Sequence, residues 1–289
     1  MSQFVPVRDT TMVLRDGRTL GYAVSGDPDG RPLLLFHGSP SSRLFFPDPS
    51  ETAAAGVRLV TVDRPGYGRS APQPGRRIVD WPSDVEQLVD ALGLQRFAVT
   101  AHSSGGPYAL ACAVRLPERV TRVGLVSCVV PLDEVPAAEA SLDESERELV
   151  ELCRRDPTEA AERIGRAASW LADDPDRFLS FPRPAPDQRL LEEPSLRAMF
   201  ATSVRESVHR GLAGYVSDEV LERCSWGFLL AEVRRDVSLW HGHHDGYIPL
   251  AHAEAMAKLL PNCRTHFDPD QAHGLILARW PQILAHLGV

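Results

Sequence analysis

A strand that runs directly into a serine-bearing turn and then into a helix is the feature that most constrains this chain. Residues 97–99 are apolar, residues 100–107 read Thr-Ala-His-Ser-Ser-Gly-Gly-Pro, and the small residues of 108–111 favour a helix. Such a junction raises one serine side chain at the edge of a sheet and aims the next backbone N–H at the same point. We therefore predict a nucleophilic serine with an oxyanion donor beside it.

Two serines compete for the nucleophile position, and the size of their neighbours favours Ser103. The turn is so tight that the residues two before and two after the nucleophile must be small. For Ser103 these residues are Ala101 and Gly105, whereas Ser104 would have His102 in the first of the two positions. Ser103 is the predicted nucleophile, and a Ser/Gly-rich turn that only caps a helix is the alternative.

Two later segments supply the acid and the base that a nucleophilic serine needs, in the chain order Ser, Asp, His. Asp245 follows a strand predicted over 237–241, although aspartate is also common as a turn former or helix cap. His273 lies in a loop after the predicted last strand, 264–267, and it precedes Gly274. Loop histidines of this kind are more often functional than core histidines, so we predict Asp245 as the acid and His273 as the base.

Other acids and a metal site are open at this point. Asp133, which follows a later predicted strand, and Asp270, close to the loop histidine in sequence, are alternative acids, with Asp245 preferred. His241, His243 and Asp245 form an H-x-H-x-D run of the kind that can bind Zn²⁺. The run lacks a further histidine and leaves the serine turn unexplained, so we predict no metal.

A second strand–turn junction supplies the other oxyanion donor. Leu33–Phe36 is a continuous apolar run that we predict as a strand buried on both faces, and it leads into His-Gly-Ser-Pro at 37–40. Glycine and proline shape a turn that can aim the Ser39 N–H inward, although they also favour ordinary turns at strand ends. We predict that the N–H groups of Ser39 and Ser104 hold the oxyanion, each contributing about 2.7–4 kcal/mol to transition-state stabilisation.

Together these motifs resemble those of serine α/β-hydrolases, the group that includes proline iminopeptidases, cofactor-independent haloperoxidases and small carboxylesterases. The matching segments are His37–Pro40, Asp63–Ser70, the serine turn, His241–Gly242 with Asp245 and Pro249, and Ala272–Gly274. The resemblance covers about residues 10–130 and 235–289. It implies that Ser103 is the nucleophile, Asp245 the acid and His273 the base, with no cofactor. Epoxide hydrolases and haloalkane dehalogenases of this fold carry aspartate at the turn, so the serine argues against both.

Strands that alternate with helices predict an α/β fold with a doubly wound, mostly parallel sheet, here the α/β-hydrolase fold. An N-terminal hairpin precedes it, and residues 1–130 and 236–289 form the predicted core. Strand patterns vanish over 131–235, which we predict to be an inserted helical cap. Its predicted helical stretches are 143–154, 157–171 and 195–211. A Pro-rich patch at 181–186 precedes the last of them.

Aromatic residues of the cap, and His102 beside the nucleophile, are candidates for substrate binding. We prefer Trp170, Phe200 and Trp226 among the aromatic residues, although any one of them can equally pack the cap against the core. The full candidate set is Trp170, Phe178, Phe181, Phe200, Trp226 and Phe228.

Bulk properties argue against several classes of partner. The chain of 289 residues has a net charge of −8 with acidic and basic residues interspersed, which argues against nucleic acid. No segment approaches the roughly 20 apolar residues of a membrane span, and residues 1–11 contain no apolar run typical of a secretion signal. The five scattered cysteines indicate reduced thiols. We expect a cytoplasmic protein with a small-molecule substrate, and we leave a homodimer open.

The predicted function is a serine hydrolase that cleaves a carboxylic ester, lactone or thioester of a small molecule through an acyl-enzyme. The same triad would also suit a C–C bond hydrolase, a perhydrolase or an aminopeptidase. An aminopeptidase needs a cap carboxylate for the substrate amine, and Glu192, Glu193 and Glu206 are candidates. A non-catalytic small-molecule receptor with the same fold is the alternative from another class.

Overall fold

The structure, a computed structural model, describes residues 6–288 and builds them around one sheet. Residues 1–5, the start of the stretch in which no secretion signal is predicted, lie outside the described residues. The strands are β1 (Arg8–Val13), β2 (Thr19–Gly26), β3 (Arg31–Phe36), β4 (Val57–Val62), β5 (Phe97–His102), β6 (Val120–Val126), β7 (Val237–Gly242) and β8 (Cys263–Asp268).

Across the sheet the strands run in the order β1-β2-β4-β3-β5-β6-β7-β8. The pairs β1–β2 and β2–β4 are antiparallel, and every other neighbouring pair is parallel. β3, β5 and β7 are buried over most of their length because helices cover both faces of the sheet, which explains their apolar runs. The predicted α/β-hydrolase fold with a mostly parallel sheet is confirmed.

Helices flank the sheet and fill the segment between β6 and β7. The first three are α1 (Pro49–Ala54), α2 (Trp81–Ala91) and α3 (Gly106–Arg115). Between β6 and β7 lie α4 (Pro136–Ser141), α5 (Glu144–Arg155), α6 (Pro157–Ala167), α7 (Ser169–Asp173), α8 (Ala185–Glu192), α9 (Pro194–Val208) and α10 (Ala213–Glu222), which we call the cap helices. The last are α11 (Leu250–Leu259), α12 (Leu275–Ala278) and α13 (Trp280–Leu287). Within residues 6–288 no helix is long and apolar enough to span a bilayer.

Several helices differ from the prediction: the stretch predicted over 157–171 is two helices, α6 and α7, and α4 and α10 have no predicted counterpart. Proline accounts for two further differences. The Pro-rich patch at 181–186 runs into α8, because prolines fit the first turn of a helix, where an N–H has no partner to lose. The final helix predicted over 275–287 is two helices, α12 and α13, which meet at Arg279. Pro281 stands in the first turn of α13, and its ring would clash with the carbonyl four residues earlier in a continuous helix.

Candidate active site

The serine turn between β5 and α3 presents Ser103 at the edge of the sheet. Ser103 has a φ of +53°, a left-handed conformation that costs a non-glycine residue about 1–3 kcal/mol. Its neighbours His102 and Ser104 are buried, whereas Ser103 is partly exposed. A Cβ on Gly105 would clash with the Phe36 carbonyl oxygen, so the turn needs glycine there. The strained turn therefore exposes one serine side chain, at the carboxyl ends of β3 and β5.

Asp245 and His273 come together at the same edge, from the loops that follow β7 and β8. His273 Nδ1 lies 2.9 Å from Asp245 Oδ2, and the Asp245 side chain is fully buried. The N–H groups of Tyr247 and Ile248 donate to Asp245 Oδ1 at 2.9 and 3.0 Å, which fixes the orientation of the carboxylate. Since a carboxylate can only accept, His273 Nδ1 carries the proton and Nε2 is the basic nitrogen.

The charge at Asp245 is stabilised by its neighbours. Burial raises the pKa of Asp245, but the charge of His273, its hydrogen bond and the Ile248 N–H outweigh burial and lower the pKa to about 2. His241, one residue of the predicted H-x-H-x-D run, has its Nε2 3.5 Å from Asp245 Oδ2 and 2.9 Å from the Ile248 carbonyl oxygen. An ionised Asp245 can therefore orient His273 and stabilise an imidazolium.

His102 lies against the base rather than in open solvent. Its Nε2 donates to the His273 carbonyl oxygen at 3.0 Å, and its ring stacks on Phe45 with centroids 5.4 Å apart. Burial and, after it, the charge of His273 together lower the pKa of His102 to about 3. His102 is therefore neutral near pH 7, and its protonated nitrogen is engaged by the loop of the base.

The two residues predicted to form the oxyanion hole border the same cavity as Ser103. Ser39 follows Gly38, where a Cβ would lie 3.1 Å from Ser103 Cβ, so the backbone of this turn passes close to the serine. Ser39 Oγ is 2.8 Å from the Tyr67 hydroxyl, and burial raises the pKa of Tyr67 well above its ordinary value. The Ser39 side chain is thus held by a neutral phenol.

Ser103 and His273 line a cavity of about 330 Å³ between the sheet edge and the cap helices. Of the predicted pocket residues, His102, Phe178 and Phe200 line it together with Ser103 and His273. Trp170 contacts Phe181 at 5.0 Å between ring centroids and borders a separate cavity. Trp226 is 2% exposed and packs in the core, so the structure brings neither tryptophan to the serine.

Charged cap residues in the cavity wall are the part of the site that the sequence did not indicate. Arg183 donates to the carbonyl oxygens of the chain around it, at 2.6–3.0 Å, and Glu219 pairs with Arg223 at 2.8 Å. Asp187 accepts a backbone N–H from the loop of the base. Glu222 differs, because its Oε1 is buried without a hydrogen-bond partner within the described chain. Arg183 lies in the predicted Pro-rich patch, and Asp187, Glu219 and Glu222 lie outside the predicted helical stretches, so no local signal separated them from solvated charge.

The alternative acids and amine-binding residues lie elsewhere. Asp133 and Asp270 are exposed, as are Glu192 and Glu193. Glu206 pairs with Arg43 at 2.6 Å. None of these five acidic residues lines the cavity of Ser103. Over residues 6–288, no group of three or more His, Cys, Asp or Glu side chains is arranged to hold a metal ion.

Comparison with known proteins shows the family to which the chain belongs. The profile of the alpha/beta hydrolase fold family matches residues 31–278. The chain is 32% identical over 131 residues to a proline iminopeptidase from Xylella fastidiosa (strain 9a5c), a match that covers 43% of this chain and 40% of that protein. It is 34% identical over 131 residues to a non-heme chloroperoxidase from Streptomyces lividans, covering 42% and 45% respectively. The chain thus matches less than half the length of these curated relatives.

Solved structures extend the likeness to the whole chain. A bromoperoxidase from Bacillus anthracis superposes with a TM-score of 0.72 at 21% sequence identity. The superposition covers 97% of this chain and 98% of that one. At this identity the likeness shows the shared fold.

Proposed function

The chain belongs to the alpha/beta hydrolase fold family, and from this premise we propose that it is a serine hydrolase that cleaves ester-like bonds of small molecules. One observation carries the proposal. His273 Nδ1 is bonded to the buried Asp245 carboxylate at 2.9 Å, while Ser103, in a strained left-handed conformation, lines the same cavity as the histidine. A nucleophile and a base on one cavity, with a buried acid that orients the base, are the arrangement that acyl transfer requires.

The proposed reaction has two halves. In the first, Ser103 Oγ attacks the carbonyl carbon while His273 Nε2 takes the hydroxyl proton, and the N–H groups of Ser39 and Ser104 bind the oxyanion. Collapse of the tetrahedral intermediate expels the alcohol, which receives the proton from His273, and leaves an acyl group on Ser103. In the second half, His273 removes a proton from water, which attacks the acyl carbon; the bond from that carbon to Ser103 Oγ then breaks, Oγ takes the proton back from His273, and the acid leaves. Asp245 holds the imidazole tautomer and stabilises the imidazolium throughout.

The cavity supports a small acyl group with apolar surroundings. Phe45, Phe178, Phe200 and Leu191 form apolar walls around the serine. A volume of about 330 Å³ is at the lower end of the range typical of small-molecule sites. We therefore propose carboxylic esters, lactones or thioesters with short to medium acyl chains as substrates.

A series of p-nitrophenyl esters with acyl chains of increasing length tests this proposal. We expect the wild-type protein to hydrolyse the shorter members and Ser103→Ala to lose about 10⁴-fold or more in kcat. Ser83→Ala, an exposed serine on α2, is the matched control. A fluorophosphonate should label the wild type on the peptide that contains Ser103. Activity that persists in a folded Ser103→Ala, or that a chelator abolishes, would refute the serine mechanism.

Glu222 favours a second candidate, an aminopeptidase. Its buried Oε1 lacks a partner within the described residues although the side chain lines the cavity, and an unpaired buried carboxyl oxygen is costly. Burial raises the pKa of Glu222 well above its ordinary value, and the charges of Glu219 and Asp218 raise it further. The ammonium group of an amino-terminal substrate would supply both the hydrogen bonds and the opposite charge.

Amino-acid p-nitroanilides, proline p-nitroanilide among them, distinguish the two candidates when assayed beside the esters. For an aminopeptidase we expect Glu222→Gln to abolish anilide hydrolysis and to spare ester hydrolysis. If the wild type hydrolyses esters but none of the anilides, the esterase is favoured and the aminopeptidase is rejected.

A further inference from the structure

The loop that carries His273 is bonded to a cap helix as well as to the core. The N–H of Gly274, the residue after the proposed base, donates to Asp187 Oδ1 at 2.8 Å. Asp187 lies in the first turn of α8 and is only 6% exposed. The two residues are 87 positions apart in the sequence. A buried carboxylate from the cap therefore accepts a hydrogen bond from the backbone directly beside the base.

Glycine at position 274 permits this contact. A Cβ there would lie 2.6 Å from Leu190 Cδ1 and 3.0 Å from Asp187 Oδ1. Both residues belong to α8, so the absence of a side chain lets the helix approach the loop within hydrogen-bonding distance. The close approach and the hydrogen bond thus involve the same helix.

The electrostatics of Asp187 agree with a role at the base. Burial raises the pKa of Asp187, while the N–H groups of Gly274 and His273 and the charge of the His273 ring act in the opposite direction. The salt bridges described for residues 6–288 include no partner for this carboxylate. Its stabilisation comes from the loop itself, which distinguishes it from Glu219, paired with Arg223 in the same cavity wall.

We propose that Asp187 is a positioning residue, which fixes the 272–274 loop through the Gly274 N–H and so aligns His273 with Ser103. His273 is then held at three points: its ring by Asp245, its carbonyl by His102, and the following N–H by Asp187. Two of these groups belong to the core and the third to the cap. The inference rests on the proposed serine mechanism, and it makes the cap a contributor to the chemistry as well as a wall of the cavity.

Two substitutions at Asp187 test the proposal, with the best p-nitrophenyl ester as substrate. Asp187→Ala removes the acceptor, and a misaligned base should lower kcat by about ten- to a hundredfold with KM within about threefold of the wild type. Asp187→Asn keeps an amide oxygen that can accept from Gly274, so it should restore most of kcat. The control is Glu193→Ala, which removes an exposed cap carboxylate that also accepts a backbone N–H, from Leu196 at 2.6 Å.

The proposal is overturned if Asp187→Ala keeps the wild-type kcat, or if Asp187→Asn falls as low as Asp187→Ala. In either case an active wild type that loses activity in Ser103→Ala leaves the serine mechanism intact. Hydrogen exchange of the wild-type Gly274 amide, followed by NMR of glycine-labelled protein, needs no variant to fold. Protection of this amide supports the contact, and exchange at the rate of an unstructured peptide rejects it.

Discussion

Two buried carboxylates, Asp245 at the candidate active site and Asp218 between the cap and the core, reach the same charge state by different means. Both side chains are fully buried, and the pKa of each is lowered to about 2. In both cases burial raises the pKa and a cationic neighbour overcomes it. The partners differ: Asp245 faces a histidine, a side chain with a neutral and a cationic form, whereas Asp218 faces arginines, which stay cationic.

Asp218 joins α10 to three segments of the core. Arg64 Nε, in the loop after β4, donates to Asp218 Oδ2 at 2.8 Å. Arg76 and the Tyr108 hydroxyl, the latter at 2.5 Å, donate to Asp218 Oδ1. The Arg64 guanidinium also lies 4.9 Å from the centroid of the Tyr108 ring. Both oxygens of Asp218 therefore accept hydrogen bonds from groups that keep their protons near neutral pH.

The difference separates a carboxylate that we propose to act in catalysis from one that joins the cap helices to the core. At Asp245, two backbone N–H groups hold one oxygen, and the other oxygen faces a base whose proton must move. At Asp218, permanent cations hold both oxygens, so the contact of the cap with the core does not depend on pH near neutrality. Substitutions at the two positions should therefore separate loss of activity from loss of stability.

The largest effect is expected at the active-site carboxylate. Asp245→Asn keeps an oxygen that can accept from Tyr247 and Ile248, but its amide cannot hold His273 in the correct tautomer. We expect kcat for ester hydrolysis to fall about 10⁴-fold, while the free energy of unfolding falls by no more than about 2 kcal/mol, the contribution of the ionised carboxylate. Steady-state kinetics and urea denaturation of the same preparation measure both quantities.

Asp133→Asn is the control for this substitution, because Asp133 is the exposed alternative acid. It should leave kcat unchanged. If instead Asp133→Asn accounts for the loss and Asp245→Asn stays within tenfold of the wild type, Asp245 is not the acid of the triad.

At Asp218 the expected effect is mainly on stability rather than on activity. Asp218→Ala leaves Arg64 and Arg76 buried without a counter-charge, which should lower the free energy of unfolding by about 3–5 kcal/mol. Asp176→Ala is the matched control, since the Asp176–Arg205 pair is about half exposed on both sides and should contribute much less to the free energy of unfolding. The urea midpoints of the two variants test this prediction. Equal midpoints would show that burial of the Asp218 cluster does not determine its contribution to the free energy of unfolding.

The sequence indicated the parts of the site that depend on short stretches of chain. The serine turn is local, since the left-handed Ser103 joins a strand and a helix that are adjacent in sequence. Asp245 and His273 were identified by their position after successive strands, because the carboxyl ends of parallel strands share one edge. The geometry brings these residues together as that rule predicts.

The sequence did not predict the cap residues of the site, because their positions depend on contacts between distant segments. Asp187 meets Gly274 across 87 positions, and nothing in the sequence of α8 selects that carboxylate over its neighbours. In the same region, aromatic side chains alone did not identify the pocket residues. Trp226, a preferred candidate, packs in the core at 2% exposure, whereas Phe178, which was not among the preferred candidates, lines the cavity. Periodicity identifies an apolar face of a helix, but it does not say which neighbour covers that face.

The smallest expected effect concerns acid pH, where both carboxylates should act in the same direction. Each has a folded-state pKa of about 2 against an ordinary value of 3.8. A lowered pKa means that the stabilisation is complete above 3.8 and is lost as the pH falls from there through about 2. Each shift corresponds to about 2 kcal/mol of the free energy of unfolding.

Urea denaturation at a series of pH values from 6 to about 2 measures this dependence, in the wild type and in Asp245→Asn and Asp218→Asn. Each variant lacks one titrating group, so its stability should fall less steeply below pH 4 than that of the wild type. The slopes of the two variants should change by similar amounts, because the pKa of each carboxylate is lowered to about 2. A variant with the full wild-type slope would show that its carboxylate has an ordinary pKa in the folded protein, and the equivalence of the two sites would fail.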